Sequence, residues 1–203
     1  MSNIPNPKEV VLDDSLPYMQ LVGMLLWMTK TRFDIRFYLS YLCRYMSRYD
    51  KTLYNLAAKV VKYLKGTPAY GLVFNEGPGL TPDYDKGVSM QFYVDSDFAG
   101  NKQNRISITG FCIFYNNCLV SWKSRGQKSV SLSSTEAEYN AMSEVCMEVI
   151  FIKNILVFLE VKLDYPILIQ CDNVGAIYLA KNKKTSRRKK HIDARYHYLR
   201  EYD

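Results

Sequence analysis

From Pro17 to Gly66 the apolar residues recur three or four positions apart, the spacing of one helix face. The pattern predicts a helix near residues 17–29, broken around Lys30–Thr31–Arg32. A second is expected near 34–48, carrying Ile35, Tyr38, Leu39, Leu42, Cys43 and Met46, and a third over about 51–65, with Leu53, Leu56, Val60, Val61 and Leu64 and a stop at Gly66. The run "YGLVF" that follows reads as a short strand. Residues 1–15 are polar, contain Pro5 and Pro7, and are expected to be flexible.

Residues 75–88, "NEGPGLTPDYDKGV", are rich in Gly, Pro and Asp and mark a domain boundary. Beyond them the period changes. "MQFYVDSD" reads as a strand; "SITGFCIFYN" and "CLVSWKS" read as two more, joined at Asn116–Asn117 as a hairpin. A long helix over about 134–160, a strand "PILIQCD", a short helix "NVGAIYLAKN", a basic loop and a final helical stretch from near His191 complete the order. The expected layout is a flexible start (1–15), a helical segment (16–85) and an α/β domain (89–203) built on a mixed sheet with flanking helices.

The long helix carries the sharpest chemical clue. Ser133 and Glu136 form an S-x-x-E capping box that marks its start. Ala137, Ala141, Val145, Val149, Ile152, Leu156 and Leu159 follow as a buried stripe. At roughly 100° per residue, Glu138 lies within about 20° of Val145 and about 40° of Met142, so it points with that stripe. Glu136 and Asn140 point to nearly the opposite side, and Glu144 and Glu148 also point away from Glu138. A carboxylate on a core-facing stripe is costly unless paired or bound to a metal; the alternative is a glutamate near the helix end that reaches solvent.

Asp95 and Asp172 each close an apolar strand run, "FYV" and "ILIQC", and strand ends are the usual place for a site in an α/β sheet. Alternation puts Asp95 on the face of Tyr93, away from Phe92 and Val94. Asp97 shares that face and is its rival, and Asp172 has a competing role as the cap of the helix that begins at Asn173. Three converging acids without a His, Cys or Lys partner would suit Mg²⁺ or Mn²⁺. Two such ions can activate a water and stabilise the leaving oxygen in phosphodiester hydrolysis.

Net charge and cysteine usage narrow the class. A formal charge of +7 and a pI near 9.0 favour an anionic partner, nucleic acid before membrane. The basic string "KNKKTSRRKK" carries Lys181, Lys183, Lys184, Arg187, Arg188, Lys189 and Lys190, suited to phosphate contacts or, alternatively, to a solvated loop or an import-like signal. Five cysteines, an odd number with no CxxC pair, suggest neither a disulfide framework nor a zinc knuckle; Cys112, Cys146 and Cys171 read as core thiols. Lys153 and Asn154 interrupt the most apolar run, so no transmembrane segment is expected.

"YVDSDFAGNKQNRISITGFCIFYNNCLVSWKSRGQKSVSLSSTEAEYNAMSE", "CDNVGAIYLAKN" and "KKHIDARYHYLRE" resemble the ribonuclease H domain of copia-type retrotransposon Pol polyproteins. The upstream stretch from "LVGMLLWMTKTRFDI" to "YGLVF" resembles the thumb or connection segment between the reverse transcriptase palm and ribonuclease H. The resemblance implies a five-stranded mixed sheet whose first three strands are antiparallel. It also implies catalytic, metal-binding roles for Asp95, Glu138 and Asp172, with Mg²⁺ or Mn²⁺ as cofactor. The implied reaction is hydrolysis of the RNA strand of an RNA–DNA hybrid, leaving a 3′-hydroxyl. The implied partners are that hybrid and the rest of a Pol polyprotein; the implied location is cytoplasmic, in virus-like particles, or nuclear.

Phe33, Phe98 and Leu53 stand where the family usually has Pro, Trp and His. The family continues past "RYHYLRE" with a strand and a helix bearing a fourth active-site carboxylate, whereas this sequence ends at Asp203, so the expectation is a C-terminally truncated domain. Asp193 is a substitute for that carboxylate or an acid near the start of the last helix; His191 and His197 lack a zinc pattern. Arg105, Ser107, Trp122, Lys123 and Gln127 lie where hybrid contacts would be made. The competing reading is an inactive or weakened nucleic-acid-binding remnant of a degraded copia element. An integrase or transposase would order its acids Asp–Asp–Glu, not Asp–Glu–Asp as here.

Overall fold

The computed structural model describes residues 10–74, 89–101 and 104–181. The chain divides into two compact units, the first ending at Leu72 and the second beginning at Val73.

The first unit is helical: α1 (Tyr18–Met28), α2 (Arg36–Leu42) and α3 (Lys51–Gly66). The helix expected over 34–48 is a 3-10 turn at Phe33–Ile35, then α2, then a second 3-10 turn at Cys43–Tyr45. The tighter turns suit the local packing: Tyr45 is buried beside Tyr41, while Tyr38, expected in the apolar stripe, is exposed. In α3 the stripe is Leu53, Ala57 and Val60, with Val61 exposed. Tyr18 ties the bundle together: its ring stacks on Tyr49, 4.8 Å between centroids, and its hydroxyl donates to the Leu42 carbonyl at 2.8 Å. Asp50 caps α3 by accepting from the Leu53 N–H. Val10 is buried in the same core and the Asp13 N–H donates to the Tyr49 carbonyl, which fastens part of the segment expected to be flexible. "YGLVF" is not a strand: Tyr70, Val73 and Phe74 are exposed and no strand pairs with them among the described residues.

The second unit contains β1 (Met90–Asp97), β2 (Ile108–Tyr115), β3 (Cys118–Gly126), α4 (Ser134–Phe158), β4 (Leu168–Gln170) and α5 (Val174–Lys181). The sheet runs β3-β2-β1-β4, with β1, β2 and β3 antiparallel in sequence and β4 parallel to β1. This is the expected α/β class with a mixed sheet and flanking helices, compatible with a ribonuclease H-like fold. The β2–β3 turn falls on Asn116 and Asn117, at φ 45° and 62°, left-handed geometry that asparagine tolerates best after glycine. Alternation along β1 is clean. Met90, Phe92, Val94 and Ser96 are buried, and Tyr93, Asp95 and Asp97 are exposed. The buried row packs with Phe111 and Ile113 of β2 and with Tyr139, Ala141, Met142 and Val145 of α4.

The N-terminal half of α4 is buried almost all round, which corrects the single-stripe expectation. Glu136 and Asn140, placed opposite the stripe, are both buried. The cause is the segment after β3, which crosses the far side of the helix. Ser131 accepts from the Asn140 amide, and the Leu132 N–H donates to Glu136 Oε2. At the other end the helix stops at Phe158, and Leu159, expected in the stripe, is exposed. The Ser133 hydroxyl accepts from the Glu136 N–H at 3.1 Å, as the capping box requires. Ser133→Ala should therefore cost about 1 kcal/mol in urea denaturation; an unchanged midpoint would show that the cap is redundant with the Leu132–Glu136 bond.

Candidate active site

Glu138 is set by α4 facing the end of β1. The side chain is 5% exposed, and the Ser96 N–H donates to its Oε1 at 3.0 Å. The Cys171 thiol lies 3.9 Å from Oε2, beyond the end of β4. Asp172 follows immediately, exposed, and ligand atoms of Glu138, Cys171 and Asp172 all lie within 4.8 Å of one another. Asp95, in β1, acts on the same carboxylate as a nearby negative charge, but its donor atoms are not within 4.8 Å of both Glu138 and Asp172.

These surroundings hold the Glu138 carboxyl protonated to unusually high pH. Burial is the main cause, the charges of Asp95 and Asp172 add to it, and the Ser96 N–H opposes it; the net result is a pKa raised to about 7. The Cys171 thiol is pushed up as well, first by burial and then by the charges of Glu138 and Asp172. A desolvated carboxylate facing two further acids is a site short of positive charge. Its oxygen donors fit a hard divalent cation.

Geometry bears on the two rival roles. A Cβ built on Gly100 would meet Asp97 Oδ2 at 2.0 Å, so the Asp97 carboxylate lies over the turn after β1, and it is Asp95 that acts on Glu138. The cap of α5 is Asn173, whose Oδ1 accepts from the Ala176 N–H at 2.9 Å, and this leaves Asp172 free of that task. The Glu138 side chain does not reach solvent along the helix end, as its burial shows. Gly175 lets α5 approach α4: a Cβ there would meet Thr135 Oγ1 at 2.9 Å. Asp172 is thereby brought beside Glu138.

Beneath the acids lies a buried polar network. The Gln127 amide nitrogen is 2.8 Å from the Ala137 carbonyl, 3.1 Å from Thr109 Oγ1 and 3.4 Å from Ser96 Oγ, and Ser131 donates to its Oε1 at 3.0 Å. Ser107 is fully buried and accepts from the Ala99 N–H. Gln127 and Ser107 therefore cannot meet a nucleic acid, contrary to the expectation from sequence. Lys123 is turned to the α4 side of the sheet, where its Nζ lies 3.4 Å from Glu144. Of the five positions expected to contact a hybrid, Arg105 is exposed and Trp122 is half-buried. Lys181 ends α5; Lys183, Lys184, Arg187, Arg188, Lys189 and Lys190 lie outside the described residues, as do His191, Asp193, His197 and the final helical stretch.

Sequence reasoning missed Cys171 as a neighbour of the acids and the Ser96 N–H as the group that orients Glu138. The signal for Cys171 was its position directly before Asp172, at a strand end. No sequence signal marks a backbone donor.

The chain is 35% identical over 189 residues to the retrovirus-related Pol polyprotein from transposon RE2 of Arabidopsis thaliana, covering 93% of this chain and 12% of that polyprotein. It is also 35% identical over 187 residues to the retrovirus-related Pol polyprotein from transposon TNT 1-94 of Nicotiana tabacum, covering 92% of this chain and 13% of the polyprotein. The chain belongs to the copia-type retrotransposon Pol family. The match runs across both units of this Pol segment, which spans about an eighth of those polyproteins' length. The same segment is 32% identical over 139 residues to secreted RxLR effector protein 161 of Plasmopara viticola, covering 68% of this chain and 92% of that protein. No protein-family model matches the Pol segment, and no solved structure matches it significantly. No helix among its described residues is long and apolar enough to cross a membrane.

Proposed function

We propose that the second unit of this retroelement-derived chain is a ribonuclease H-type endonuclease domain that hydrolyses the RNA strand of RNA–DNA hybrids. One observation supports the reading: the buried Glu138 of α4 has Asp172, after β4, within 4.8 Å, and the negative charges of Asp95 in β1 and of Asp172 both act on it. Asp95, Glu138 and Asp172 would hold Mg²⁺ or Mn²⁺. Such ions, when bound, supply Lewis acidity and a more nucleophilic water.

The chain's own residues supply orientation. Glu138 is held from one side by the Ser96 N–H, so its second oxygen faces Cys171 and Asp172. Asp95 and Asp172 are exposed at the rim, where a phosphodiester can approach, while Glu138 lies at the buried floor. Arg105 and the basic positions from Lys181 to Lys190 are suited to phosphates, and that part of binding should weaken steeply with salt.

The test is cleavage of a labelled RNA–DNA hybrid by the purified chain with Mg²⁺ or Mn²⁺, beside binding to the same hybrid. Metal-dependent cleavage is expected, reduced at least roughly 100-fold by Asp95→Asn or Asp172→Asn with binding retained. Cleavage that persists in Asp95→Asn would overturn the site. Binding without any cleavage would overturn the nuclease reading in favour of an inactive nucleic-acid-binding remnant.

A further inference from the structure

Cys171 is the one group near the acids that a hard-ion site does not need. Its thiol sits 3.9 Å from Glu138 Oε2, and Asp172 follows it in the chain. Among the described residues, Glu138, Cys171 and Asp172 are the one group of three metal-ligating side chains whose donor atoms all lie within 4.8 Å of one another. Asp95 is not in that group. Glu138 and Asp172 thus stand in two candidate ligand sets: the proposed all-oxygen set with Asp95, whose donor atoms are not all within 4.8 Å of one another, and a mixed set completed by sulfur, whose donor atoms are.

The two sets select different ions. Oxygen-only donors suit Mg²⁺ and Mn²⁺, whereas a thiolate shifts preference to zinc-class ions. Three protein ligands and one open position is a common tetrahedral zinc arrangement. With bonds of about 2.3 Å to sulfur and about 2.1 Å to oxygen, tetrahedral donors stand roughly 3.5 Å apart. The sulfur and Glu138 Oε2 are already near that separation. Asp172 is exposed and Cys171 half-buried, so side-chain rotation can close the rest while the Ser96 N–H keeps Glu138 in place.

We propose that Glu138, Cys171 and Asp172 form a thiol-containing site for Zn²⁺-class ions that overlaps the hard-ion site and, when filled, excludes Mg²⁺ from it. Binding forms one metal–sulfur and two metal–oxygen bonds and releases the Cys171 thiol proton, together with the proton that Glu138 carries near neutral pH, to solvent; no oxidant is involved. The inhibitory half of this inference rests on the ribonuclease H reading above; the binding half does not.

The experiment titrates the metal-free full chain with Cd²⁺ and follows the ultraviolet charge-transfer band of a cadmium–thiolate bond. Cys43, Cys112, Cys118 and Cys146 provide the background, so the readout is the difference between wild type and Cys171→Ser. The expected result is a saturable band in wild type and in Asp95→Asn, with apparent affinity at least roughly 100-fold weaker in Cys171→Ser, since a direct ligand is removed. Asp172→Asn should weaken it as well, which guards against a folding effect of the serine variant. Zn²⁺ should suppress Mg²⁺-supported hybrid cleavage in wild type and do so much less in Cys171→Ser. An equal band in wild type and Cys171→Ser would overturn the proposal. Loss of the band in Asp95→Asn would overturn it too, because the sulfur-bound ion would then depend on Asp95, which the proposed set leaves out. A cadmium band without any Mg²⁺-dependent cleavage would leave the zinc-class site standing and remove the ribonuclease H reading.

Discussion

Replacing Glu138 by glutamine should stabilise the metal-free protein at pH 8 while removing hybrid cleavage. Burial raises this carboxyl from 4.5 to about 7. Between those values the folded chain keeps a proton that the unfolded chain has released. The folded state therefore binds more protons, and stability falls as pH rises through that window. Below about pH 4.5 both states are protonated and the penalty is absent; above about pH 7 both are ionised and it is complete. The shift sets a ceiling of about 3 kcal/mol on the effect. Glutamine cannot ionise, yet its oxygen can still accept from Ser96. The difference in unfolding free energy between variant and wild type should thus be near its smallest at pH 4.5 and grow in favour of the variant up to pH 8. Mg²⁺ should reverse the order, because a cation favours the ionised carboxylate and restores part of the lost stability in wild type alone. Urea unfolding from pH 4.5 to 8, with and without Mg²⁺, measures all of this. Parallel pH profiles for the two proteins would show that Glu138 is not desolvated as described.

Gln127→Ala should destabilise the second unit by about 3 kcal/mol, since it deletes several buried hydrogen bonds and leaves their partners unpaired. The Gln127 amide joins β1 through Ser96, β2 through Thr109 and α4 through the Ala137 carbonyl. Removing it also strands Ser131, which in turn supports Asn140. Ser96 is the residue whose N–H orients Glu138, so the loss should spread to the acids. A surface contact to nucleic acid predicts something else: weaker hybrid binding with stability unchanged. Urea denaturation beside a hybrid-binding titration separates the two. A stability change under roughly 0.5 kcal/mol would mean that the network contributes little.

Membership of the copia-type Pol family gives this segment its context. The relatives are far longer polyproteins, and their whole-protein activities do not transfer to an eighth of their length. What the segment itself contains is one helical unit and one sheet unit. Glu138 is the point at which the proposed nuclease site, the charge balance and the zinc-class inference all meet.

The alternation in β1, the hairpin turn at Asn116–Asn117, the start of α4 at Ser133 and the inward phase of Glu138 were all legible in sequence. Each is a short-range property: a period of two or 3.6, two asparagines tolerating a left-handed turn, a serine with a glutamate three residues on. What lay beyond the sequence depended on segments distant along the chain coming together. Glu136 and Asn140 look solvent-facing on a helical wheel and are buried because residues 127–133 cross over them. Gln127 looks like a surface donor and is the hub beneath the site. Cys171 looks like a core thiol and faces a carboxylate contributed by α4. Periodicity reports which way a side chain leaves its own element; only the tertiary structure decides what covers that side, and therefore which partners a buried polar group finds.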